Sequence, residues 1–237
     1  MTLSRPARAF TFDCYGTLID WDAGIHAALQ AIPALDGLDL DAFVLRRERI
    51  EMEIEAGAYL PYETVLARSL QQTAEAFGGC VSDSEAREFA TSVPNWPAFS
   101  DASSFLRRLR ALDKPLLILS NITNAILRQS IRKLEVPFDA LVTAEDVRSY
   151  KPAAAHWTEA LARLGLRSTD LLHIAASPYH DIEPAARLGI PCVWVNRRDV
   201  SSPLAAGAAL TVPGLEALAA SLDLPPASEV AANPRER

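Results

Sequence analysis

Cysteine is scarce in this chain, and what there is does not cluster. Cys14, Cys80 and Cys192 are odd in number, far apart and without metal-ligand spacing. That excludes a disulfide framework and a thiolate zinc site, and predicts reduced thiols in a cytoplasmic protein. Cys14 reads as a small buried hydrophobe. Long apolar runs are missing too, so no segment reads as a membrane span. Met1 to Ala9 holds two arginines and no extended apolar region, so it does not read as a secretory signal. Basic excess is absent: 30 acidic against 23 basic residues leave a net charge of −7. That argues against nucleic acid and anionic membranes as partners. Internal repeats are lacking. What remains is 237 residues, 49% of them hydrophobic, enough for a large core with a sizeable insertion or for two small domains.

The stretch from Phe10 to Trp21 organises the chain. An apolar run stops abruptly at Asp13, a Gly16-Thr17 turn follows, and then Asp20 and Trp21. A short apolar run bounded by turn residues predicts a buried strand, with Asp13 at its carboxyl end. Ligands bind at that edge in open α/β sheets. Gly16 allows a tight turn and a close backbone approach.

From residue 22 to 92 the pattern is helical throughout. Ile25, Ala28, Leu29 and Ile32 recur at helical spacing up to Pro33, and Asp39 or Asp41 caps a second helix carrying Phe43, Val44, Ile50 and Ile54. Its charged run, Leu45 to Glu53, reads as a solvated face. A third helix runs from Tyr62 to Phe77, and a fourth from a cap near Ser82 to about Ala90. Asp101 is expected to cap a helix with Phe105, Leu106, Leu109 and Leu112. Strands at 116–119, 140–142, 171–176 and 192–195 then alternate with helices at 124–134, 153–164 and 182–188. Such alternation predicts an α/β, Rossmann-like parallel sheet with helices on both faces. The expected division is a core of 1–21 and 93–224, an all-helical cap of 22–92, and a mobile tail of 225–237.

The run Asp13-Cys14-Tyr15-Gly16-Thr17-Leu18 resembles the first motif of the haloacid dehalogenase superfamily. Phosphatases of that superfamily usually carry a second Asp where Tyr15 stands, whereas the L-2-haloacid dehalogenases (type II) carry Tyr. The resemblance implies that Asp13 is a nucleophile forming a covalent ester, with Thr17 positioning it. Ser120-Asn121 matches the second motif, whose hydroxyl and amide hold the substrate's carboxylate or phosphate. The two residues alone read equally as a helix N-cap, and a helix N-terminus with a free hydroxyl also suits an anion. Lys151-Pro152 matches the third motif, whose cation would keep Asp13 ionised. Asp181 matches the acid that orients this lysine.

Several positions depart from the pattern. Ala176 and Pro178 stand where the dehalogenases carry the Ser and Asn that position water, and Trp157 replaces a Tyr. His180, steadied by Asp181, is the expected substitute for the lost water contact, with Ser177 beside it. Arg46 matches by position the cap arginine that reaches over the nucleophile, with Arg47 and Arg49 as register-shifted rivals. Tyr15 and Trp21 would form an aromatic wall. Without acids at 15 and 176 a magnesium ion loses oxygen ligands, so no metal and no cofactor is expected.

The resemblance implies a hydrolase acting on a small-molecule carboxylate. It displaces a group from the neighbouring carbon: a halide, or the ring nitrogen of a strained cyclic amino acid. A homodimer is compatible with this reading. A small-molecule phosphatase with an atypical metal site and an inactive binding scaffold stay open as alternatives.

Overall fold

Along β1 (Ala9–Phe12), Phe10 and Phe12 face one side and Ala9 and Thr11 the other, and all four are buried. Side chains alternate across a strand, so burial on both faces requires a layer of helices on each. In this computed structural model, which describes residues 7–231, the strand lies inside a six-stranded sheet. The other strands are β2 (Leu116–Ser120), β3 (Ala140–Thr143), β4 (Leu171–Ala175), β5 (Cys192–Val195) and β6 (Leu210–Val212). The order is β3-β2-β1-β4-β5-β6 and every pairing is parallel. One apolar cluster joins Phe10, Phe12, Ile118, Ile174 and Val193 on one face; another joins Ala9, Leu117, Leu119, Ala175 and Trp194 on the other. The predicted Rossmann-like core is therefore observed. Its chain order reverses between β1 and β4, and the crevice beyond the strand ends at such a reversal is where α/β sheets hold ligands.

Among the described residues, helices alone fill most of the chain between β1 and β2. They are α1 (Trp21–Gln30), α2 (Leu40–Glu55), α3 (Tyr62–Ala76), α4 (Asp83–Ser92) and, back against the sheet, α5 (Ala102–Arg110). Asp39 accepts from the Ala42 amide and caps α2, while Asp41 pairs instead with His26 at 3.0 Å. Ser82 and Glu85 form a reciprocal capping box on α4. The insertion leaves and rejoins the sheet over a two-stranded crossing: the Asp20 amide donates to Pro97 and the Phe99 amide to Leu18. Trp96 packs edge-on against both Tyr15 and Trp21, with ring centroids 6.1 and 6.5 Å away. Gly24 is required beneath it, since a Cβ there would come within 2.3 Å of the indole.

The later helices are α6 (Asn124–Ser130), α7 (Ala144–Val147), α8 (Ala155–Leu164), α9 (Glu183–Arg187), α10 (Leu215–Ser221) and α11 (Ala227–Ala231). Three expectations need correcting. Asp101 precedes α5 but does not cap it, because its carboxylate takes Arg197 and the Leu215 amide. The helix expected to reach residue 134 stops at Ser130 and tightens into a 3₁₀ turn. Strand β6 was not predicted; three residues are too few to display a period. In the expected tail, the Pro225 carbonyl is held by Arg108 and α11 follows; residues 232–237, like 1–6, lie outside the described residues. No helix among the described residues is long and apolar enough to cross a membrane.

Candidate active site

Asp13 follows β1 directly, and Gly16, at φ +88°, turns the chain back so that Thr17 faces it. The Thr17 hydroxyl donates to Asp13 Oδ2 at 2.8 Å and accepts from the Ala176 amide at 2.9 Å. That amide fixes the direction in which the hydroxyl points. Arg197, stacked 3.8 Å over Phe99 and doubly bonded to Asp101, donates to the Thr17 carbonyl.

Lys151 arrives after β3. Its ammonium donates to Asp13 Oδ1 at 2.9 Å, to Asp181 Oδ1 at 2.7 Å and to the Leu119 carbonyl at 3.0 Å. Three donors meet three acceptors, which is what a buried ammonium needs. Its side chain is 1% exposed, against 10% for Asp13. Burial works against the charge on Lys151, but the two carboxylates outweigh it and hold its pKa well above the usual value. Burial pushes the Asp13 carboxyl up, Lys151 pulls it down and Asp181 pushes up again; the net direction is upward. Asp181 is also opposed by burial, yet Lys151 and a hydrogen bond from His173 hold it well below the ordinary carboxylate range.

The predicted Asp13, Thr17, Lys151 and Asp181 therefore come together. His180 and Ser177 join Asp13, Lys151 and Asp181 on the wall of one cavity of about 630 Å³, and Thr17 lies buried behind Asp13. His180 follows β4 in a single π turn, Pro178–Ile182. Its Nδ1 lies 3.0 Å from Ser177 Oγ, and its own amide donates to that same oxygen. Asp181 does not steady its ring as expected, because Asp181 is taken by Lys151 and His173. Burial lowers the His180 pKa and keeps the imidazole neutral.

Three assignments change. Asn121 lines the cavity, but its amide clamps the Lys151 backbone on both sides: Oδ1 accepts from the Lys151 amide at 2.6 Å and Nδ2 donates to its carbonyl at 3.0 Å. Its clearest work is to place Lys151, and Ser120 remains the hydroxyl on the wall. Trp157 is fully buried and packs edge-on to His173 behind the sheet, away from the cavity. Arg46 is exposed to solvent, as is Arg49. Arg47 is buried, but Glu51 and Ser69 hold it between Trp21 and Phe89. No arginine of α2 lines the cavity; Glu48, Glu51, Met52 and Glu55 do. Tyr15 and Trp21 do form an aromatic wall, joined through Trp96, and the Tyr15 hydroxyl donates to Ser130. Cys14 is buried in the core, where burial pushes its thiol well up.

Sequence reasoning missed His173 and Thr11. His173 Nε2 bonds Asp181 at 3.0 Å and Nδ1 meets the Thr11 hydroxyl at 2.9 Å. The signal was present: both are polar residues inside apolar strands, and Thr11 pairs with His173 in register. A magnesium ion does not fit this site. Lys151 already occupies one oxygen of each acid, and positions 15 and 176 offer a phenol and a methyl group.

A family model for haloacid dehalogenase-like hydrolases matches residues 7–189. An (S)-2-haloacid dehalogenase of Pseudomonas putida is 25% identical, the match covering 81% of this chain and 86% of that protein. A phosphoglycolate phosphatase of Photorhabdus laumondii is 26% identical, covering 80% of each chain. An L-2-haloacid dehalogenase of Xanthobacter autotrophicus, solved with chloropropionic acid covalently bound, superposes with a TM-score of 0.76 at 18% identity, covering 92% of this chain and 98% of that one. With the motif from Asp13 to Leu18, the paired lysine and acid, and the parallel sheet already in place, the match over residues 7–189 settles the family: the chain belongs to the haloacid dehalogenase-like hydrolases and resembles their L-2-haloacid dehalogenase branch.

Proposed function

We propose that the protein hydrolyses a small 2-substituted carboxylate by nucleophilic displacement, as the dehalogenases it resembles do. Asp13 attacks the carbon next to the substrate carboxylate, the bond to the leaving group breaks with its electron pair, and an aspartyl ester forms. The observation that carries this reading is the fixing of Asp13. Lys151 holds one carboxylate oxygen and Thr17 the other, while the side chain keeps an open edge on the cavity. A carboxylate with both oxygens anchored is preorganised for in-line attack. The relative solved with chloropropionic acid covalently bound supports the same chemistry. Ser120 is the hydroxyl suited to the substrate carboxylate, with Tyr15 and Trp21 against the apolar body.

The ester is then hydrolysed. With its Nδ1–H donated to Ser177 Oγ, neutral His180 has Nε2 free to take a proton from water. As that water adds to Cγ of Asp13, negative charge grows on Oδ1, where Lys151 already sits at 2.9 Å. Collapse of the adduct expels the hydroxy acid and restores Asp13. Single-turnover hydrolysis of 2-chloropropionate in heavy-oxygen water tests the scheme. One labelled oxygen should appear in the peptide containing Asp13, and none in the first product molecule. Label going straight into product would overturn it.

A further inference from the structure

The α2 face over the nucleophile carries the wrong charge for a departing anion. Glu48, Glu51 and Glu55 lie three and four residues apart, one above the other on the cavity side of the helix. The cations that line the same cavity are engaged elsewhere: Lys151 with Asp13 and Asp181, Arg197 with Asp101, and Arg198 with Asp22. Glu51 is answered by Arg47 and by the Tyr62 hydroxyl, each at 2.9 Å. Glu55 is not. Its side chain is 8% exposed, it makes no hydrogen bond with any described residue, and His180 Nε2 stands 4.0 Å from its Oε2. A buried carboxyl in that position costs free energy unless something pairs with it.

We propose that Glu55 is the proton donor for a nitrogen leaving group, so that the site takes a 2-carboxylate whose reacting carbon bears a protonated amine. A strained cyclic amino acid is the class in which ring opening gives that nitrogen a reason to leave. The proposal rests on Asp13 being the nucleophile. The ammonium donates an N–H to the Glu55 carbonyl oxygen. As the Asp13 oxygen bonds to the carbon, the carbon–nitrogen bond breaks and its electron pair stays on nitrogen. The nitrogen then takes the Glu55 proton, leaving an ammonium beside a carboxylate. Burial, reinforced by Glu51, pushes the Glu55 carboxyl well above its usual range, toward the form that has a proton to give. A halide needs no such proton.

The test compares azetidine-2-carboxylate with 2-chloropropionate in the wild type, Glu55→Gln and Glu55→Asp, each assayed for heavy-oxygen label at Asp13. The wild type is expected to open the azetidine ring to a linear hydroxy amino acid and to label Asp13 in doing so. Gln can still accept the N–H but has no proton to give. Glu55→Gln should therefore lower kcat on the cyclic substrate by about 100-fold or more with KM little changed. Glu55→Asp should restore part of the lost kcat. Labelling of Asp13 with 2-chloropropionate while the azetidine stays intact would overturn the Glu55 proposal and spare the nucleophile. So would an unchanged kcat in Glu55→Gln. Turnover of either substrate without label at Asp13 would overturn both.

Discussion

At the scale of single residues the site is a problem of buried charge. Lys151 sits between two acids and out of water. Removing one partner of such a cluster leaves the others unpaired, which costs ~3–5 kcal/mol, or roughly 10 °C in Tm for a chain of this size. Lys151→Ala is therefore expected to melt earlier by that amount as well as to lose ~100- to 1,000-fold in rate, assayed well below its new Tm. Full activity in the folded variant would take Lys151 out of the chemistry. The oxygens that Lys151 occupies are ones a divalent ion would want, and Tyr15 and Ala176 supply no carboxylate in their place. Activity should accordingly survive excess EDTA; complete loss rescued by magnesium would mean that the lysine yields to a metal. The residues legible in the sequence were those in contiguous motifs: Asp13 with Thr17, Lys151 before Pro152, and Asp181. His173 was visible only as a polar residue inside an apolar strand, without its role on Asp181, and Arg197 was not legible at all, because it acts on the Thr17 carbonyl from 180 residues away. Local sequence does not encode such distances.

At the scale of elements, helix α2 and the turn after β4 decide what the site can do. In α2 the charges alternate so densely that periodicity does not say which side faces inward. Apolar Phe43, Val44 and Ile50 fix the rotation by packing in the core, and Arg47 follows them in while Arg46 is turned out. One residue of register thus exchanges an arginine on the cavity wall for a glutamate. The strands were easier: both of their faces are covered, and a continuous apolar run has no rotation to guess. In the turn after β4, Ala176 and Pro178 have no side-chain polar atom to hold a water. The π turn instead brings His180 back onto Ser177. His180→Ala should spare ester formation and stall hydrolysis. Intact-protein mass spectrometry should then find the enzyme plus substrate minus leaving group. Undiminished turnover with no trapped ester would assign the water to another group.

At the scale of the whole molecule, the cavity repeats in miniature the acidic balance of the chain. The net charge is −7. Around Asp13 and Lys151 the cavity is lined by Asp20, Asp22, Glu48 and Glu51, against Arg197 and Arg198, which are already matched by Asp101 and Asp22. A substrate anion approaching this mouth climbs a potential of its own sign; a zwitterion, with no net charge, does not. Charges farther apart than the Debye length are screened, and that length shrinks from about 30 Å at 0.01 M salt to about 8 Å at 0.15 M. Raising ionic strength over that range should therefore increase kcat/KM for an anionic 2-haloacid severalfold and leave a cyclic amino acid nearly unaffected. Initial rates at substrate concentrations well below KM, with a salt series for each substrate, measure this directly. Falling kcat/KM for the haloacid would mean that Lys151, Arg197 and Arg198 dominate the field at the mouth, and that the acidic wall of α2 is felt only after the substrate has bound.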